Sequence, residues 1–248
     1  MSAAPEVIDL AALAGACATR DIVGDGAAAA CSRTRIRGAS QLTSALGAAR
    51  LACFPTDTVY GVGGLCRPPA MEALLAAKGR DPEKPLQVIF PTLPALLTVL
   101  EPPGRLADAL CRLLPGQVTL VVPYPEGFDG PPPGRDAAGS PTLGVRVPRW
   151  PSGAVAMSWI GTPLVASSAN PSGDRPARHL SEVDPGLAAA CDLFLDGGEL
   201  PGTASTVVDM SAYTDHARWR VLRAGALDVA AVAAALGGPP DCGTFSST

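Results

Sequence analysis

Short apolar segments typical of β-strands alternate with segments of helical periodicity over most of the chain, and this alternation limits the possible folds most strongly. The predicted strands are Leu51–Phe54, Leu86–Phe90, Val118–Pro123, Leu143–Pro148, Leu164–Ser167, Leu193–Asp196, Ser205–Met210 and Trp219–Arg223. The predicted helices are Ser40–Arg50, Pro69–Gly79, Leu93–Leu100, Gly104–Leu114, Ser152–Ile160, Glu182–Ala190 and Asp228–Gly238. Strands and helices mixed throughout predict an α/β or α+β protein built on a sheet. With 248 residues, 47% of them apolar, the chain can bury a full core as one domain.

The two ends of the chain lack this pattern. Residues 1–39 show no sustained periodicity, and we expect a poorly ordered N-terminal extension. An Ala- and Arg-rich start also fits an organelle transit peptide, which stays an alternative. Residues 40–237 form the predicted catalytic domain, and 238–248 form a C-terminal tail. A Pro/Gly-rich loop at 124–141 is long enough to suggest a lid or a mobile segment.

Composition excludes several classes of protein. A net charge of −4 and 4% aromatic residues disfavour an extended basic surface for nucleic acid, although a local basic cleft is allowed. The seven cysteines are odd in number and form no C-x-x-C pair, which favours reduced thiols over a disulfide framework or a metal site. No stretch reaches the roughly 18 apolar residues of a membrane span. We therefore expect a cytoplasmic protein with no membrane partner and no protein metal site.

Two short motifs carry the strongest chemical signal. In Lys78-Gly79-Arg80 the glycine can unwind a helix end, so that both cations point toward one cleft. The same i, i+2 spacing puts Ser168 and Asn170 on one face after a buried strand. A lysine, an arginine and neutral donors are the groups that bind a polyphosphate. Taken alone, the first motif is also typical of a solvated helix end and the second of a turn.

Other polar residues are less specific. Gly61–Gly64 is predicted to be a glycine loop, but it matches neither a dinucleotide fingerprint nor a P-loop. His179 and His216 lie in polar surroundings typical of surface histidines, not of a catalytic triad. Arg146 interrupts an apolar strand, so it needs an anionic partner, either a substrate or a structural acid. Arg223, like Ser205, lies at a strand end, where ligand sites in open sheets gather.

Taken together, nine ordered segments between about Ser40 and Leu236 resemble the YrdC-like family, the short-form L-threonylcarbamoyladenylate synthases. The segments are Pro-Thr-Asp-Thr-Val-Tyr-Gly at 55–61, Lys-Gly-Arg at 78–80, Lys-Pro-Leu at 84–86, Pro-Gly-x-Val-Thr at 115–119, Val-Arg-Val-Pro at 145–148, Ser-Ser-Ala-Asn-Pro-Ser-Gly at 167–173, Asp-Gly-Gly at 196–198, Ser-Thr-Val-Val-Asp at 205–209 and Arg-x-Gly at 223–225. Each segment is weakly specific, whereas their order is strongly specific. The resemblance implies a YrdC/RibB-like fold, a single twisted mixed sheet with flanking helices and a large concave cleft.

The resemblance also implies an activity. The amine of L-threonine captures CO2 from bicarbonate as a carbamate, which attacks the α-phosphate of ATP to give threonylcarbamoyl-AMP and pyrophosphate. Such an enzyme is a nucleotidyltransferase that uses ATP as a substrate together with Mg2+. A downstream threonylcarbamoyl transferase passes the product to tRNA, which is itself a possible partner.

The same resemblance assigns roles to ten residues of this chain. Lys78 and Arg80 are the catalytic cations, and Ser168, Asn170, Ser205 and Arg223 join them in binding the nucleotide. The amino-acid and carbamate end is formed by Thr56, Tyr60, Thr119 and Arg146.

Two other functions stay open at this level. A paralogous enzyme that forms a carbamoyl-adenylate for another acceptor would contain the same Lys78, Arg80, Ser168 and Asn170. A non-catalytic RNA-binding module would use the concave face instead. The acidic composition and the few aromatic residues disfavour this second alternative.

Overall fold

A computed structural model describes residues 5–15, 38–81, 85–171 and 173–240, and its centre is one mixed sheet. The sheet has eleven strands in the order β1-β9-β2-β3-β8-β4-β7-β5-β10-β11, with β6 paired to β7. The strands are β1 (Glu6–Asp9), β2 (Ala52–Phe54), β3 (Gly61–Leu65), β4 (Gln87–Ile89), β5 (Val118–Pro123), β6 (Gly134–Arg135), β7 (Pro141–Arg146), β8 (Leu164–Ser168), β9 (Leu193–Asp196), β10 (Thr206–Asp209) and β11 (Arg220–Arg223). The predicted mixed sheet with flanking helices is confirmed.

Helices cover both faces of this sheet. They are α1 (Leu10–Gly15), α2 (38–48), α3 (Pro68–Ala77), α4 (Leu93–Leu100), α5 (Gly104–Leu113), α6 (Pro185–Ala189), α7 (Tyr213–His216) and α8 (Val229–Leu236), with 3-10 turns at Ser152–Trp159 and Leu180–Glu182. Ser40 lies inside α2 and does not cap it, since residues 38 and 39 are already helical. Within the described ranges, no helix combines the length and apolar character needed to span a membrane.

The strands place alternate side chains in two separate cores, as the two-residue period of a strand requires. On β2, Cys53 packs with α3, α5 and α8 in one core, whereas Ala52 and Phe54 pack with α1 and α2 in the other. On β8, Val165 belongs to the first core and its neighbours Leu164 and Ala166 to the second. The sheet is therefore buried on both faces, which explains why its strands read as continuous apolar runs.

The glycine segment differs from the sequence prediction, because Gly61–Leu65 is a fully buried strand and not a loop. It pairs antiparallel with β2 on one side and with β8 on the other. A Cβ atom on Gly63 would lie 1.9 Å from the carbonyl oxygen of Val165, and one on Gly64 would lie 2.8 Å from the Cβ of Ala70. Glycine is required here because neighbouring elements approach the backbone closely.

The N-terminal extension also needs correction over its first part. Glu6–Asp9 forms β1, which pairs parallel with β9 at the edge of the sheet, and Leu10–Gly15 forms α1. Ile8 and Leu10 are buried in the second core. The pairing joins distant parts of the chain, so local periodicity gives no sign of it. The rest of the predicted extension, residues 1–4 and 16–37, lies outside the described residues, as does 241–248 of the predicted tail.

The Pro/Gly-rich segment 124–141 contains structure of its own. Gly134–Arg135 forms the short strand β6 against β7, and the hydroxyl of Tyr124 donates to the carbonyl oxygen of Pro131 at 2.8 Å. The ring of Phe128 packs between those of Tyr124 and Phe90. These contacts anchor the segment to the sheet, and its function as a lid stays a prediction.

Candidate functional site

A cavity of about 490 Å3 is lined by residues of β3, β4, β7 and β8 and by residues of loops next to the strands of the sheet. This volume is within the usual range of small-molecule sites. Seven of the ten predicted site residues line it: Thr56, Arg80, Arg146, Ser168, Asn170, Ser205 and Arg223. Lys78, Tyr60 and Thr119 are not among the lining residues. The fold therefore gathers residues that are distributed over most of the sequence.

The end of α3 positions the two cations. The helix ends at Ala77, and Gly79 adopts a left-handed φ of 56°, which turns Arg80 toward the cavity. The Nζ atom of Lys78 donates to the carbonyl oxygens of Ser168, at 3.1 Å, and of Asn170. The two motifs thus meet, but the ammonium group binds backbone carbonyls of the second motif, and Lys78 is not among the residues that line the cavity. Burial, and then the charge of Arg80, lower the pKa of Lys78, while Asp184 opposes them.

Asn170 uses its amide donors locally. Its Nδ2 atom donates to the carbonyl oxygens of Pro171, at 2.8 Å, and Asp174, at 2.7 Å, and so holds the turn after β8. This arrangement identifies which amide atom is nitrogen. The Oδ1 atom is buried and has no hydrogen-bond partner among the described residues. The amide donors of Asn170 are therefore used within the turn and its acceptor is buried, whereas the sequence suggested a donor to phosphate.

The structure also identifies the anionic partner of Arg146, which the sequence left open. Its Nη2 atom donates to Asp57 Oδ1 at 2.5 Å and to Thr58 Oγ1 at 2.6 Å, and the side chain is only 4% exposed. The other carboxylate oxygen of Asp57 accepts from the backbone N–H of Arg149 at 2.9 Å. Burial lowers the pKa of Arg146, and the charge of Asp57 raises it. Arg146 thus has a structural acid and still lines the cavity.

Thr56 organises the turn that follows β2. Its hydroxyl donates to the carbonyl oxygen of Val59 at 2.7 Å and accepts from the backbone N–H groups of Thr58 and Val59. This is the local pattern by which a threonine side chain stabilises a turn. The turn places Asp57 and Thr58 beside Arg146. Thr56 therefore shapes the cavity wall as well as lining it.

Tyr60 is placed differently from the prediction. Its side chain is fully buried, and its hydroxyl donates toward Gly198 O at 2.9 Å and Asp196 Oδ1 at 3.2 Å. The backbone N–H of Gly197 donates to the same hydroxyl at 3.1 Å. Burial raises the pKa of Tyr60 strongly. This side chain joins β3 to the loop after β9 and does not reach the cavity.

Polar residues form a connected group at the other side of the cavity. Arg223, the last residue of β11, donates from Nη2 to Ser205 O at 2.8 Å and to Ser205 Oγ at 3.3 Å. The Oγ1 atom of Thr119 lies 2.8 Å from Ser205 Oγ and donates to Gln87 Oε1 at 2.8 Å. Gln87 lines the cavity, and sequence reasoning missed it. A lone amide in the apolar strand 86–90 was the available signal.

The charges at this cavity favour an anionic ligand. Arg80, Arg146 and Arg223 line it, and burial lowers the pKa of Arg223. Asp174 is the one carboxylate side chain on the wall among the described residues. Nor do those residues include any cluster of three or more His, Cys, Asp or Glu side chains able to hold a metal ion. Three guanidinium groups with hydroxyl and amide neighbours can bind a polyphosphate.

Asp57 lines a second cavity of similar size. Its volume is about 510 Å3, and Arg112, Arg149 and Gln117 are on its wall. None of the ten predicted residues lines it. The first cavity is therefore the candidate site.

Comparisons with other proteins agree with this architecture. The Sua5/YciO/YrdC family model, described as telomere recombination, matches residues 44–225. A Mycobacterium leprae protein named putative threonylcarbamoyl-AMP synthase is 33% identical over 211 residues, which cover 83% of this chain and 91% of that protein. A Halorhodospira halophila threonylcarbamoyl-AMP synthase is 36% identical over 152 residues, 58% of this chain and 74% of that protein.

Solved structures show the same fold. The crystal structure of Pyrococcus abyssi Sua5 complexed with L-threonine superposes with a TM-score of 0.66 at 28% identity. That match covers 81% of this chain and 58% of the Pyrococcus protein, so this chain corresponds to somewhat more than half of it. Escherichia coli YciO, at 22% identity and a TM-score of 0.63, supports the fold alone and covers 79% of this chain and 93% of that one. With nearly three quarters of its length matched by the family model, the chain belongs to the Sua5/YciO/YrdC family.

Proposed function

We propose that this chain is a threonylcarbamoyl-AMP synthase, which makes threonylcarbamoyl-AMP and pyrophosphate from L-threonine, bicarbonate and ATP. The observation that carries the proposal is the cavity itself, because its wall combines three arginines with the hydroxyl and amide residues of the second motif. They are Arg80, Arg146, Arg223, Ser168 and Asn170. Relatives that are 33% and 36% identical in sequence bear this name, and one solved relative is a complex with L-threonine. The catalytic unit is residues 40–237 together with β1 and α1, because those two elements complete the sheet and its second core.

The chemistry requires positioning of charge more than proton transfer. Bicarbonate takes up a proton and loses water to give CO2, and the neutral amine of threonine adds to CO2 and releases a proton, which gives a carbamate. A carbamate oxygen then forms a bond to the α-phosphorus of ATP while the bond to the β-phosphate oxygen breaks, and pyrophosphate leaves. Nucleophile and electrophile are both anionic, so cations that hold them together lower the barrier.

Arg80 and Arg223 are suited to bind the phosphates, since both guanidinium groups line the cavity. Lys78 acts as a positioning residue that ties down the backbone carbonyls of Ser168 and Asn170. Removing one cation that binds the transition state should cost about 3 kcal/mol, roughly a hundredfold in rate. Mg2+ bound to the nucleotide phosphates would neutralise part of their charge.

The direct test is to incubate the protein with ATP, Mg2+ and bicarbonate, with and without threonine, and to identify the adenylate by mass spectrometry. We expect threonylcarbamoyl-AMP and pyrophosphate only when threonine is present. Arg80→Ala should reduce the rate about a hundredfold. Arg105→Ala, which removes an exposed arginine on α5 outside the cavity, is the matched control and should leave the rate unchanged.

Other outcomes would identify a different function. An adenylate formed without threonine would point to the paralogous enzyme that serves another acceptor. Absence of any adenylate, together with RNA affinity that falls steeply with salt, would point to a non-catalytic RNA-binding module. For the proposed activity, the partners are a downstream threonylcarbamoyl transferase and its tRNA, in the cytoplasm.

A further inference from the structure

Four polar side chains form a continuous hydrogen-bonded chain along one wall of the cavity. Arg223 contacts Ser205, Ser205 contacts Thr119, and Thr119 contacts Gln87. Thr119 and Ser205 are buried, with 4% and 3% of their surfaces exposed. The two ends of the chain, Arg223 and Gln87, both line the cavity. The chain therefore couples two cavity residues through buried hydroxyl groups.

The direction of the protons along this chain follows from the donors available. A guanidinium group only donates, so Ser205 Oγ accepts from Arg223. The single hydroxyl proton of Thr119 goes to Gln87 Oε1 at 2.8 Å, so the oxygen of Thr119 accepts from Ser205. Each hydroxyl then donates once and accepts once. At the end of this row of hydrogen bonds, the amide oxygen of Gln87 accepts the proton of Thr119.

The other amide atom of Gln87 is left for a ligand. Its Nε2 group has no hydrogen-bond partner among the described residues, and the half-buried side chain lies on the cavity wall. We infer that Gln87 is a substrate-binding residue whose Nε2–H group donates to an anionic oxygen of the bound substrate, and that Thr119 is the positioning residue that orients it. The inference rests on the proposed function for the identity of that substrate. The oxygen belongs either to a phosphate of ATP or to the carbamate of threonine.

The expected effect follows from the charge of the acceptor. A hydrogen bond from a neutral donor to a charged group is among the stronger ones, so losing it should weaken binding by roughly tenfold to a hundredfold. Gln87→Leu is the deciding substitution, because it removes the donor without adding a charge to the cavity wall. Gln87→Glu still accepts from Thr119 but places a carboxylate beside the anionic ligand, so it should weaken binding further by repulsion.

The experiment measures ATP affinity by calorimetry and the KM for threonine in pyrophosphate release, for the full chain and each variant. Gln87→Glu and Gln87→Leu should raise the Kd for ATP or the KM for threonine at least tenfold, without a comparable loss of melting temperature. A change in the ATP Kd identifies the phosphate, and a change confined to the threonine KM identifies the carbamate. Gln41→Glu, the same exchange at an exposed position of α2, is the matched control.

Thr119 provides the second arm. Thr119→Val interrupts the row of hydrogen bonds between Arg223 and Gln87 and should weaken binding, as Gln87→Leu does. Thr119→Ser keeps the hydroxyl and should keep most of the affinity. If Gln87→Leu leaves both the ATP Kd and the threonine KM within about twofold of the original protein, the amide donates to no substrate oxygen, and the inference is overturned. A protein that binds ATP but forms no adenylate would refute the proposed function, while the ATP titrations would still test Gln87.

Discussion

Replacing Asp57 by alanine should destabilise the protein severely, because Asp57 carries the charge that compensates Arg146. The Arg146 side chain is 4% exposed, and its Nη2 group lies 2.5 Å from Asp57 Oδ1. Without the carboxylate, a buried guanidinium group is left with the hydroxyl of Thr58 and no acid. The backbone N–H of Arg149 also loses its acceptor.

The expected loss of unfolding free energy follows from the burial of the Arg146–Asp57 ion pair. Removing one member of a buried ion pair costs about 3–5 kcal/mol, since the other charge stays buried without compensation. For a domain of this size the loss corresponds to a fall in melting temperature of roughly 10 °C. Asp57→Asn keeps the shape and an acceptor oxygen and should cost less, about 2 kcal/mol. The double variant Asp57→Asn with Arg146→Met removes both charges and should be more stable than Asp57→Ala.

Urea unfolding followed by circular dichroism measures these free energies. The original protein, Asp57→Asn, Arg146→Met and the variant that combines both substitutions form a double-mutant cycle. A loss below about 0.5 kcal/mol for Asp57→Ala would refute the reasoning, because losses of that size are typical of exposed surface positions. Titration with ATP and threonine adds a further check. If saturating substrate stabilises Asp57→Ala more than it stabilises the original protein, a substrate anion also compensates the charge of Arg146.

Two further predictions concern other parts of the molecule. ATP affinity should fall as the pH rises through the pKa of Lys78, because the protonated ammonium group donates to the Ser168 and Asn170 carbonyls. Burial and the charge of Arg80 lower that pKa, so the fall should begin at a lower pH than for an ordinary lysine, whose pKa is about 10.4. Arg80→Ala should shift this fall to higher pH in calorimetric titrations, and an unshifted profile would contradict the coupling. Leu10→Ala should lower the free energy of unfolding, measured in urea, by about 2–5 kcal/mol, because Leu10 is fully buried in the second core. If Leu10 lay outside the folded domain, the substitution would leave the free energy of unfolding unchanged.

Several elements could be predicted from local sequence to within a residue. The helix Leu93–Leu100 and the strands Val118–Pro123 and Leu193–Asp196 have the predicted bounds. Helix α4 is preceded by Thr92, whose hydroxyl accepts from the backbone N–H of Ala95. Apolar runs of this kind, bounded by turn residues and caps, contain most of the information that fixes their conformation.

Other elements depend on contacts between distant residues. Gly61–Leu65 has little intrinsic preference for a strand, and only the close approach of β8 and α3 explains its conformation. Strand β1 exists because Glu6–Asp9 pairs with β9 near the other end of the chain. Neither interaction leaves a periodic signal in the segment itself, so both were missed.

By itself, the sequence determined that this protein has a mixed sheet. It also determined that motifs with cations, hydroxyls and amides lie at strand and helix ends, in the order typical of the family. Tertiary structure alone decided how those groups are used. It paired Arg146 with Asp57, directed the ammonium of Lys78 to the carbonyls of the Ser168–Asn170 turn, and put Gln87 at the end of a buried polar chain. The physical reason is that conformation is largely local, whereas the partner of a buried charge or hydroxyl is set by whichever distant residue the fold brings within hydrogen-bond distance.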